Sequence, residues 1–168
     1  ISYAALQRRI EVTAGSLAAE GIKPDDVVAV FMKNSTAFLE LAFAASHLGA
    51  VFLPINFRLA TDEVRYITEN AGAKLLIADA DFADTVRVLP NVVLVDEAAQ
   101  SDSTRLSRTA MPAPMHARRP GDLFRLMYTS GTTDRPKGVI HTYDNFYWKC
   151  ADHVIALDLS RDDRLLMT

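Results

Sequence analysis

Residues 27–32 read Val-Val-Ala-Val-Phe-Met, an uninterrupted apolar run rich in β-branched side chains. A run with no polar alternate face predicts a strand covered on both sides, as strands of parallel sheets are. Upstream, Leu6, Ile10, Ala14 and Leu17 recur at helical spacing before Gly21, so a helix precedes the strand. Downstream, Ser35 or Thr36 can cap a helix reaching about Leu48, which Gly49 stops. Ala50–Ile55 reads as a second strand, Thr61 caps a helix to about Asn70, and Lys74–Ala78 is a third buried strand. A further helix, Phe82–Leu89, and strand, Val92–Val95, complete the alternation. Strands alternating with helices make a layered α/β fold, a parallel Rossmann-like sheet flanked by helices with right-handed crossovers.

The pattern stops after residue 96. Residues 97–122 carry Pro112, Pro114 and Pro120 among Ser, Thr and Arg, and are expected to form an irregular tether that buries nothing, with Arg118 and Arg119 solvated. Residues 123–168 start a second subdomain after the first at 1–96. It opens with a strand at Leu123–Tyr128 and continues past a polar loop into Val139-Ile140 and a helix. Phe146, Cys150, Val154 and Leu157 share one face of that helix, so Cys150 reads as a small buried apolar residue, and Tyr147 and Trp148 as packing residues.

With 49% hydrophobic residues in 168, the chain can bury a core. Its net charge of -3 gives no field for nucleic acid. The apolar stretch Phe38–Ala45 contains Glu40 and is far shorter than the roughly 20 residues a membrane span needs. One cysteine excludes an internal disulfide, which suits a reducing compartment, so a cytoplasmic location is the expectation. Opening at Ile1 and stopping after the apolar run Leu165–Met167, the sequence reads as part of a longer protein. His47, His116 and His153 have no supporting constellation, no spacing suggests zinc, and His141 reads as a structural histidine at a strand end.

The chemistry concentrates in Tyr128-Thr129-Ser130-Gly131-Thr132-Thr133-Asp134-Arg135-Pro136-Lys137-Gly138. Glycines let backbone N–H groups approach an anion, hydroxyls donate to its oxygens, and a lysine adds a mobile charge. This is no Walker loop: counted from Gly131, the second glycine would fall on Pro136, and Gly138 stands where a magnesium-binding hydroxyl should follow Lys137.

The string resembles the signature loop of the adenylate-forming, or AMP-binding, superfamily: acyl-CoA synthetases, luciferases and peptide-synthetase adenylation domains. Gly21–Val30, Lys33-Asn34-Ser35, Leu48–Val51, Pro54–Leu59 and Gly138–Thr142 extend the resemblance over nearly the whole chain. It implies part of the large N-terminal domain of such an enzyme. Thr129 would help hold Mg2+, and Ser130, Gly131, Thr132, Thr133 and Lys137 the β and γ phosphates of ATP, with Gly138 permitting close backbone approach.

Within the superfamily, Phe57-Arg58-Leu59 and the Gly-Val-Ile-His-Thr continuation resemble acyl-CoA synthetases most. The implied parent is an AMP-forming ligase that activates a carboxylic acid, a fatty acid first, as an acyl-adenylate and passes it to coenzyme A. A peptide-synthetase adenylation domain and a non-catalytic binding fragment are the alternatives. The resemblance implies ATP, Mg2+, coenzyme A and the acid as partners, and allows a homodimer. Adenine, ribose and a C-terminal lysine would be met by later motifs, so this chain alone is expected to be inactive and to bind ATP weakly.

Two positions depart from the pattern. Tyr143 stands where relatives often have histidine, and Asp134 where the family has glycine. Asp tolerates a left-handed backbone, but a carboxylate beside phosphates opposes binding unless it points away or meets a cation. Asp134→Gly in the full-length parent is expected to lower the Michaelis constant for ATP, and unchanged ATP kinetics would refute the conflict.

Overall fold

The computed structural model describes residues 1–95, 110–129 and 135–164. The first half follows the alternation closely: α1 (Tyr3–Ala19), β1 (Val27–Phe31), α2 (Thr36–Leu48), β2 (Val51–Ile55), α3 (Thr61–Asn70), β3 (Ala73–Asp79), α4 (Ala83–Val86) and β4 (Val92–Val95). The second half adds β5 (Leu123–Thr129), β6 (Lys137–Thr142) and α5 (Tyr143–Ala156). Ser35 caps α2 through its side chain, which accepts from the Phe38 N–H, and Gly49 ends that helix at φ 83°. The cap of α3 is Ala60 rather than Thr61, and its N–H donates to the Glu63 side chain at 2.8 Å. The helix expected over Phe82–Leu89 is reduced to a 3-10 turn at Ala80–Phe82 and one α-turn.

The six strands form one sheet in the order β4-β3-β1-β2-β5-β6. Every neighbouring pair is parallel except β5 with β6, which is antiparallel. Alternate residues of β1 serve opposite faces. Val28 and Val30 join the layer packed by Ala14 and Leu17 of α1 and by Leu41, Ala44, Ala45 and Leu48 of α2. Ala29 and Phe31 face Val64 and Ile67 of α3 and Val86 of α4. Burying each such aliphatic side chain contributes about 1.5–3 kcal/mol, so the apolar run of β1 holds both layers at once.

Between α1 and α2 the buried Glu40 carboxylate takes the Arg9 guanidinium, with Nε 2.7 Å from Oε1. Where β1 begins, Lys74 Nζ meets Asp26 Oδ2 at 2.7 Å and the Gly21 carbonyl at 2.8 Å, tying β3 to the turn before β1.

Residues 110–119 have no regular secondary structure, yet they do not float as the sequence suggests. They lie as a strap across α1 and α2: the Ala113 N–H donates to the Glu11 carbonyl, the His116 N–H to the His47 carbonyl at 2.8 Å, and His47 Nε2 meets the Ala113 carbonyl at 2.8 Å. Arg118 is likewise half-buried rather than solvated, its Nη1 donating to the Tyr143 hydroxyl. Composition hides this docking because the seat belongs to the helices. A Cβ on Gly15 would sit 1.9 Å from the Met111 carbonyl oxygen, and one on Gly49 would meet the His116 ring at 2.6 Å.

The last helix corrects another expectation. Cys150 is exposed, Tyr147 and Trp148 are more than half exposed, and α5 has no buried residue. Its helical periodicity is real, but of Phe146, Cys150, Val154 and Leu157 only Phe146 is half-buried, against Phe124 at 4.6 Å.

Gly15→Ala is expected to destabilise the protein by about 1–3 kcal/mol, because a backbone carbonyl cannot swing aside as a side chain can. Gly121→Ala, with nothing within 4 Å of its Cβ, is the control and should be near neutral. Equal thermal melts for the two variants would contradict the strap packing.

Candidate functional site

Parallel strands β1, β2, β3 and β5 end on one edge of the sheet, the carboxyl edge where open α/β sheets place ligands. Thr129 ends β5 on that edge, and Lys137 begins β6 directly opposite, since the antiparallel register pairs Thr129 with Lys137 and Tyr128 with Gly138. Both Thr129 and Lys137 are exposed. Ser130, Gly131, Thr132, Thr133 and Asp134, which connect them, lie outside the described residues. The structure therefore brings together the first hydroxyl and the lysine of the motif, as the two posts of a short connection.

Gly138 has a local reason to lack a side chain. A Cβ there would come within 3.1 Å of Cζ of the Tyr128 ring, which lies across it. Tyr128 is in turn held from the sheet face that carries α3. Its hydroxyl donates to Asn70 Oδ1 at 2.6 Å, and the neighbouring Tyr66 hydroxyl donates to the Pro136 carbonyl at 3.4 Å. The Arg135 guanidinium stands 5.3 Å from the centre of the Tyr66 ring. Burial, and secondarily the neighbouring Tyr66, push the Tyr128 phenol above its ordinary value, so it stays a donor at neutral pH.

The sequence reading missed Tyr66 and Asn70. Their only signal is a spacing of four residues, which puts both on one face of α3.

On β6, His141 accepts at Nδ1 from Arg125 Nε at 3.1 Å. The Arg125 guanidinium also lies 4.9 Å from the Phe146 ring centre, so it links β5 to α5. Tyr143, at the start of α5, meets Ser46 of α2 through its hydroxyl at 3.0 Å and takes the Arg118 donor on the same oxygen. With both partners on one terminal oxygen, Tyr143 tethers α5 to the strap and to α2. No group of three or more His, Cys, Asp or Glu side chains is placed to hold a metal among the described residues. None of the helices described there is long and apolar enough to cross a membrane.

Burial, followed by the Arg125 charge, lowers the His141 imidazole below its ordinary 6.5. The neutral ring is thus favoured by folding, and the associated stability is complete above about pH 6.5 and lost as pH falls through the lower native value. An NMR titration of His141 is expected to give a midpoint below 6.5 that Arg125→Met moves upward; a midpoint at or above 6.5 would contradict the contact.

Comparison with known proteins places the chain in a family. The family model described as AMP-binding enzyme matches residues 1–168. A feruloyl-CoA synthase of Amycolatopsis sp. is 37% identical over 99% of the chain, which spans 33% of that relative. The long-chain-fatty-acid–CoA ligase FadD13 of Mycobacterium tuberculosis (strain ATCC 25618 / H37Rv) is 35% identical over 99% of the chain, which spans 34% of it. The crystal structure of the N-terminal domain of FACL13 from Mycobacterium tuberculosis superposes with a TM-score of 0.86 at 34% identity, covering 99% of this chain and 44% of that one. The chain thus spans about a third of the length of its curated relatives. Over its whole length it belongs to the AMP-binding enzyme family, with the fold of that family's N-terminal domain.

Proposed function

We propose that the protein carrying this chain is an ATP-dependent, AMP-forming acid–thiol ligase, which activates a carboxylic acid as its acyl-adenylate and transfers the acyl group to coenzyme A. The observation that carries the reading is the register of Thr129 against Lys137 at the carboxyl edge of the sheet, either side of a hydroxyl and glycine-rich connection. Family membership and the CoA-ligase names of the relatives support the reaction class. The names differ in the acid, feruloyl in one and long-chain fatty in the other, so the acid is read only as carboxylic, with a fatty acid as one member of that class.

In-line attack of a carboxylate on the α-phosphate needs the pyrophosphate leaving group held still and its charge neutralised. In this reading Ser130, Gly131, Thr132, Thr133, Lys137 and Gly138 surround the β and γ phosphates. Lys137 supplies a flexible ammonium, suited to a point charge rather than a bidentate clamp. Mg2+ prefers oxygen ligands and keeps several waters when it bridges phosphates. The exposed Thr129 would offer its hydroxyl oxygen as one protein ligand to the ion. When bound, the ion would add charge neutralisation at the phosphates.

Lys137→Ala in the full-length enzyme is expected to raise the Michaelis constant for ATP in carboxylate-dependent pyrophosphate exchange by roughly 10- to 100-fold, the scale of losing one charged phosphate contact. The constant for the acid should stay within about twofold of the parent's value on the same reasoning, since that ligand is not held by the lysine. Unchanged ATP kinetics would overturn the proposal.

A further inference from the structure

On either side of 130–134 the chain leaves the sheet as two stems, Tyr128-Thr129 and Arg135-Pro136-Lys137, and both stems are held by one face of one helix. Asn70 of α3 accepts from the hydroxyl of Tyr128, the residue immediately before Thr129. Tyr66, one turn earlier on α3, donates to the carbonyl of Pro136, the residue immediately before Lys137, and its ring lies beneath the Arg135 guanidinium. Tyr66, Leu126 and Tyr128 pack against the same apolar layer as Val64 and Ile67, so α3 is fixed from below while it grips the stems from above. The glycine at 138 completes the arrangement by letting the Tyr128 ring lie flat across β6.

We infer that Tyr66, Asn70 and Tyr128 are positioning residues: α3 clamps the two stems of the phosphate-binding connection and thereby sets the spacing between the Thr129 hydroxyl and the Lys137 ammonium. This rests on the reading of that connection as a phosphate loop. A backbone that must cradle an anion is useful only if its N–H groups are held before the anion arrives, because ordering it afterwards would subtract from binding. Two antiparallel strands leaving a sheet can splay and twist, and β5 is tied to β2 by a single residue pair, Phe52 with Arg125. The hydrogen bonds between α3 and the stems add to the β5–β6 ladder a restraint from the sheet face at that end. None of the three side chains is assigned contact with substrate, so their effect passes through Thr129 and Lys137.

The test is pyrophosphate exchange by the full-length enzyme carrying Asn70→Ala, Tyr128→Phe, the double variant, Tyr66→Phe and Asn70→Asp. Asn70→Ala and Tyr128→Phe are each expected to raise the Michaelis constant for ATP about 2- to 10-fold, the scale of one hydrogen bond, while that for the acid is unchanged. The double variant should be no worse than the poorer single, because both remove the same bond. Tyr66→Phe should act in the same direction, and Asn70→Asp, which still accepts, should restore ATP affinity. Additive effects in the double variant, or equal losses for acid and ATP, would assign these residues to general stability and overturn the clamp. Lys137→Ala in the same assay separates the two ideas. If it raises the ATP constant while the α3 variants do not, only the clamp fails; if it changes nothing, the phosphate reading fails and the clamp with it.

Discussion

A parallel strand buried on both faces leaves no side of itself for solvent, so whatever chemistry it supports must happen at its ends. β1 imposes that constraint here, because Val28 and Val30 fill one layer and Ala29 and Phe31 the other. With both layers occupied by helices, the carboxyl edge of the sheet is where Thr129 and Lys137 emerge. Their opposition across β5 and β6 follows from the one antiparallel pairing in an otherwise parallel sheet. A parallel β5 and β6 would have needed a long crossover and would have sent the lysine to the other edge.

Much of this was legible in the residues. Apolar runs without alternation announced the buried strands, and Ser35 and Gly49 announced the limits of α2, because those signals are local. The motif at 129–138 stands out because anion binding demands a concentration of glycine, hydroxyl and lysine that packing does not, and the proposed function starts from it. What stayed hidden depends on partners distant in sequence. The strap at 110–119 looks like a tether until Gly15 and Gly49 are seen to make room for it, and Arg118 looks solvated until Tyr143 and Ser46 arrive from elsewhere. Asn70 and Tyr66 read as ordinary helix-surface residues, since nothing nearby says that the stems of a loop 60 residues later will rest on them.

Cys150, Tyr147 and Trp148 teach the complementary lesson. Helical periodicity tells which side chains share a face, but not whether anything covers it. On α5 the apolar face is present, yet among the described residues the contacts of Tyr143 and Phe146 leave Val154, Ile155 and Leu157 exposed. The curated relatives are about three times as long as this chain.

The central claim concerns two atoms, the Thr129 hydroxyl oxygen and the Lys137 ammonium nitrogen, and the anion they would bracket. A crystal structure of the full-length protein with a non-hydrolysable ATP analogue and Mg2+ tests it most directly. The expected result places Lys137 Nζ within about 3 Å of a β or γ phosphate oxygen and the metal beside the Thr129 hydroxyl. A triphosphate bound elsewhere, with Lys137 directed into solvent, would contradict it.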